Sequence, residues 1–152
     1  MLFRSATSVS IDPSVRQALS HPMIWYAMGR LGDDHATALL NGEPKALDAL
    51  SHHVIAWFID KVTKRRHIEP EEIMEILLKV ASRTELVSRV ELSFAIWREC
   101  ACQVVSIDTV GKHLYDEALS AGIIEQTGAD RQWSWRHPFV ARYLAGVAGK
   151  EG

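Results

Sequence analysis

Apolar positions recur at three- and four-residue spacing along most of the chain and alternate at two-residue spacing in one short stretch near its end. The strongest helical stripe follows Pro44: Leu47, Leu50, Val54, Phe58 and Val62, widened by Ile55 and Ile59. A proline needs no amide partner in a first turn, so Pro44 marks the start. Lys61, Lys64, Arg65, Arg66 and His67 crowd the end, where cations complement the helix dipole. That run reads as capping and solvation, with a nucleic-acid or phosphate patch as the rival reading. Pro70-Glu71-Glu72 opens a second helix with Ile73, Leu77 and Val80 inward, and a third is predicted over 91–102, carrying Leu92, Ile96 and Trp97. Upstream, Asp12-Pro13 opens a helix that His21-Pro22 interrupts. Met23-Ile24-Trp25-Tyr26-Ala27-Met28 resumes it, Gly32-Asp33-Asp34 turns, and a short helix reaches Leu40 before Asn41-Gly42. Residues 1–11 carry no pattern.

The last third changes period. From Ser106, a predicted N-cap with Asp108 in the first turn, Ile107, Val110, Leu114 and Ala118 follow helical spacing until Gly122, placed for a left-handed cap. Ile123-Ile124-Glu125-Gln126 then reads as a strand, Thr127-Gly128-Ala129-Asp130 as a turn, and Gln132-Trp133-Ser134-Trp135 as the return strand. His137-Pro138 starts a final helix with stripe Val140, Tyr143, Leu144 and Val147, and Gly146, Gly149 and Gly152 mark its expected decay. The predicted fold is mainly α: a helical bundle over 12–90, then a winged helix with a two-strand β-wing over 91–148. No 20–50-residue repeat is visible.

Composition narrows the functions. Within 152 residues, 47% are hydrophobic and 24% charged, and the net charge is −2, so no global field draws the chain to nucleic acid or an anionic membrane. No apolar run approaches the length of a membrane span, and the start, Met1-Leu2-Phe3-Arg4-Ser5, lacks the apolar core of a signal peptide. Cys100 and Cys102, one residue apart on a predicted helix, point to different sides and suit free buried thiols in a reducing cytoplasm.

A helix before a wing normally enters the DNA major groove. Here residues 106–126 carry Asp108, Asp116, Glu117 and Glu125 against Lys112 alone, the wrong sign for phosphate. Nucleic acid is therefore not the expected partner. Nor is an enzyme expected: the phosphate-loop, dinucleotide, nucleophile-elbow and H-E-x-x-H motifs are all missing. His52 and His53 diverge by about 100° on a helix and do not easily share a metal, leaving one half-buried and one exposed. No cofactor is expected.

The run Trp135-Arg136-His137-Pro138-Phe139-Val140-Ala141-Arg142-Tyr143-Leu144-Ala145 resembles the closing motif of the winged-helix domain in STAND-class signalling NTPases, the NACHT and apoptotic or plant-resistance groups. His21-Pro22-Met23-Ile24 and the two helices after Pro44 are similar to that family's helical domain. The resemblance spans 14–147 by order of elements. It implies a non-catalytic regulatory module that couples nucleotide state to assembly, with a protein partner: a P-loop ATPase domain in cis or trans. In the family the winged-helix histidine contacts the β-phosphate of ADP, a role that falls on His137, and a proline beside the adenine would correspond to Pro22. His137 equally fits a helix cap or a bond to a wing carbonyl, and Pro22 a helix kink. The family's phosphate-binding core is missing, so the chain alone should bind no nucleotide. The alternatives are a winged-helix transcriptional regulator and a helical adaptor that uses exposed Trp or Tyr side chains.

Overall fold

The structure, a computed structural model, describes residues 43–86, 92–128 and 131–151. The helices predicted within 12–42, with Pro22, lie outside the described residues, as do Ala129 and Asp130 of the predicted turn. Five helices and one two-stranded antiparallel sheet make up the described chain: α1 (Pro44–Arg66), α2 (Pro70–Leu86), α3 (Phe94–Cys102), α4 (Thr109–Ala121), β1 (Ile124–Gln126), β2 (Trp133–Trp135) and α5 (Pro138–Glu151).

Each helix forms where its apolar stripe meets a terminating signal. In α1, Pro44 occupies the first turn and Leu47, Leu50, Val54, Ile55, Phe58 and Val62 are buried; His67 then turns left-handed at φ 58° and its amide donates to the Thr63 carbonyl at 3.0 Å. Gly122 ends α4 at φ 77° as predicted, with its amide turned back on the Ala118 and Leu119 carbonyls. The strands pair Ile124 with Trp135, Glu125 with Ser134 and Gln126 with Trp133.

Three expectations are corrected. The third helix begins at Phe94, not at 91: the Leu92 carbonyl accepts from the Trp133 amide at 3.2 Å, the Phe94 amide donates to the Arg131 carbonyl at 2.8 Å, and Ser93 bridges Gln132. Residues 92–93 thus form a third, very short edge to the hairpin. The next helix starts at Thr109, with Asp108 rather than Ser106 at its N-cap position, so helical spacing does not govern Ile107, which is 62% exposed. Finally, α5 runs unbroken through Gly146 and Gly149 to Glu151.

The buried apolar residues form one cluster that runs from Ala46 on α1 to Leu144 on α5. α5 packs against both α2 and α1, and α3 against α4. Two tryptophans set the centre of the hairpin end: Trp133 and Trp97 are fully buried, edge to face at 5.6 Å, and Trp135 stands edge to face with Trp133 at 5.4 Å. The Trp133 Nε1 donates to the Ser93 carbonyl at 2.9 Å, which locks the hairpin to the start of α3. α3 and α4 approach so closely at Gly111 that a Cβ there would lie 2.8 Å from the Arg98 Cα and 3.0 Å from the Trp97 carbonyl oxygen.

Candidate functional site

The joint between β2 and α5 holds the histidine singled out from the sequence. Trp135 closes the strand, the Arg136 amide donates to the Ile123 carbonyl at 3.0 Å, and Pro138 begins α5. This places His137 one residue before the helix, where its carbonyl accepts from the Val140 amide at 3.0 Å. The side chain points inward: His137 is 1% exposed, and its ring stacks on Phe139 at 5.7 Å and 28°. A ring so enclosed cannot meet a phosphate in this conformation. Pro22, its predicted companion, lies outside the described residues, so the two are not brought together here.

The face of α4 is less acidic than the sequence suggests. Glu117 belongs to the buried stripe, at 2% exposure, and its Oε1 accepts from the Arg65 Nε at 3.1 Å and the Arg66 Nε at 3.2 Å. Its Oε2 is buried with no hydrogen-bond partner among the described residues. Two of the five basic residues at the end of α1 therefore do more than cap it: they neutralise a buried carboxylate on another helix. Lys64 follows the capping expectation more closely, pairing with Asp60 one turn back at 2.9 Å on the surface. The exposed side of α4 keeps Asp108, Lys112 and Asp116. Beside it a hollow of about 180 Å³ is lined by Lys112, Tyr115, Asp116 and, from the hairpin, Arg131, whose guanidinium lies 4.9 Å over the Phe94 ring. With Glu117 withdrawn, the charges of 106–126 that reach solvent are three acids against one lysine, which is still not a phosphate-binding surface.

The remaining candidates resolve as local structure. His52 is exposed and His53 half-buried, and the His52 Nδ1 shares a hydrogen bond with the Tyr143 hydroxyl at 3.1 Å, tying α1 to α5. Burial, then the charge of Asp48, raises the Tyr143 phenol above its ordinary value. Cys100 is buried and Cys102 exposed, both free, so only one of the two expected buried thiols is buried. Burial pushes the Cys100 thiol up from its ordinary value. Among the described residues no group of three His, Cys, Asp or Glu side chains is arranged to hold a metal, and no helix is long and apolar enough to cross a membrane. No described Trp or Tyr is fully exposed; Ile107 is the large apolar side chain that stands free.

No protein-family model matches the chain, and no curated protein or solved structure matches it.

Proposed function

We propose that residues 70–151 form a winged helix closed by an additional helix, and that the chain is a non-catalytic regulatory module of a STAND-type NTPase, coupling the nucleotide state of a P-loop ATPase domain, in cis or trans, to assembly. The observation that carries this reading is the order of elements: helix, short edge strand at 92–93, helix, helix, hairpin, then a helix entered through Trp135-Arg136-His137-Pro138. The first three helices and the three-edged sheet follow the winged-helix order, and the run 135–145 carries the family resemblance. The module start then moves from the 91 expected from the sequence to Pro70, since a winged helix needs a first helix and α2, which packs on α3 and α5, would supply it.

Two features favour a partner-binding role over DNA reading. The helix that would enter the major groove, with its N-cap, shows two acids, Asp108 and Asp116, and one lysine to solvent, and the basic cluster at the end of α1 is partly consumed by Glu117. In this reading His137 would contact nucleotide only in a conformation that opens its cover. The proposed setting is the cytoplasm, where Cys100 and Cys102 stay reduced.

The test is a pair of titrations of the chain. Anisotropy of a labelled duplex DNA at low salt should show no saturable binding, and a fluorescent ADP analogue should likewise stay free. Duplex binding that weakens steeply with added salt would replace this reading with that of a transcriptional regulator.

A further inference from the structure

A cleft of about 510 Å³ opens between α2, β2 and α5, within the size range of small-molecule sites. Its apolar walls come from Ala81, Leu92, Trp135 and Pro138, and charged Glu85 and Arg142 line it as well. The indole of Trp135 is held in place: its Nε1 donates to the Thr84 Oγ1 at 3.1 Å, and that hydroxyl donates to the Ala81 carbonyl at 2.9 Å. The ring also packs against Trp133 and Trp97. It is therefore a fixed wall rather than a mobile side chain, and ordering it costs an incoming ligand little.

The two charged side chains of the cleft are not committed to each other. Arg83, two residues from Glu85, is engaged by Glu99 at 2.7 Å, and that hydrogen bond raises it further above its ordinary value. Glu85 and Arg142 make no ion pair within 4 Å among the described residues, although both line the same cleft and both are exposed. A site with an aromatic wall, one free carboxylate and one free guanidinium selects a ligand that carries both charges and an apolar body. An anion alone would face Glu85, and a cation alone would face Arg142.

We propose that this cleft binds a small zwitterion with an aromatic body, an aromatic α-amino acid being its simplest member. The ring packs on Trp135 and Pro138, the ammonium pairs with Glu85, and the carboxylate pairs with Arg142. This site is independent of the regulatory reading above and stands or falls separately from it.

The experiment follows the indole N–H resonance of Trp135, assigned with Trp135→Phe, in the full chain titrated with L-phenylalanine, N-acetylphenylalanine and phenylalaninamide. L-Phenylalanine should shift the resonance saturably, and each derivative, lacking one charge, should bind about fivefold more weakly, the scale of an exposed ion pair. Glu85→Gln should weaken L-phenylalanine by about the same factor and leave N-acetylphenylalanine unchanged. Arg142→Gln should weaken L-phenylalanine and leave phenylalaninamide unchanged. Both residues are exposed, so the variants should keep the fold, which the dispersion of the same spectra reports. The absence of a saturable shift, equal affinity for all three probes, or indifference to both charge variants would overturn the proposal.

Discussion

Glu117 takes part in two of the four ion pairs among the described residues, and it is the buried partner in both. A carboxylate at 2% exposure is costly to bury, and it is tolerated here because Arg65 and Arg66 approach the same oxygen. The arginines are partly solvated, at 59% and 32% side-chain exposure, so losing the acid lets them return to water, whereas losing both arginines strands a buried charge. Glu117→Gln should therefore cost about 1–2 kcal/mol, and the Arg65→Gln/Arg66→Gln pair about 3–5 kcal/mol. Urea unfolding checks the ranking; a costlier Glu117→Gln would contradict it. The two thiols separate in the same way by burial. Iodoacetamide should label Cys102 quickly in the native protein and Cys100 only on unfolding; equal native rates would refute that assignment. Burial raises both Cys100 and Tyr143, from ordinary values of 9.0 and 10.0. As pH climbs past 9.0, the unfolded chain loses these protons before the folded one, so the stability these two groups contribute should be present below that pH and fall above it. A thermal-melting series across the alkaline range measures it, and a rise in melting temperature there would contradict it.

At the scale of elements, the glycines of α4 and α5 make opposite predictions from the same chemistry. Glycine inside a helix costs roughly 0.5–1 kcal/mol relative to alanine. Gly146 and Gly149 have nothing within 4 Å of an added Cβ, so alanine at either should stabilise by about that amount. Gly111 faces the backbone of α3, so Gly111→Ala should lose about 1–3 kcal/mol by overpacking, despite its better propensity. Melting temperatures that move the same way for all three would sink this account of the α3–α4 contact. Helix stripes were the legible part of the sequence: α1, α2, the hairpin strands and the Gly122 stop all lie where periodicity and turn chemistry put them. Non-local pairing was not legible. Leu92 and Ser93 extend a helical pattern by spacing, yet they are drawn out by Trp133 and Gln132, some forty residues on. Ser93, a cap-prone residue with φ −124° and ψ 167°, was the available signal for the later start. Ile107 sits three residues before Val110 and so mimicked a buried position; its carbonyl accepts from the Val110 amide at 3.3 Å in the turn that leads into α4, but its side chain stays outside the core.

For the molecule as a whole, the candidate site was legible as a position but not as an environment. Order of elements located His137 at the entry to α5; only packing reveals that it faces Phe139 in the interior rather than a ligand. Glu117 could have been found, since Leu114, Glu117, Ala118 and Ala121 share one face of α4, but its arginines lie on α1, about fifty residues away, where no periodicity points. The consequence is a rigid link: α1 is fastened to α4 by the Glu117 cluster and to α5 by His52 and by Ser51, whose hydroxyl donates to the Leu47 carbonyl at 2.8 Å and reaches the Phe139 carbonyl at 3.5 Å. In the proposed reading this body moves as one piece against an ATPase core. The measurement that tests it most directly is association of the chain with a P-loop ATPase encoded with it, followed by analytical ultracentrifugation in ADP and in ATP. The account predicts a complex that holds in ADP and separates or reorganises in ATP. A complex of identical stability in both nucleotides, or no complex in either, would contradict it.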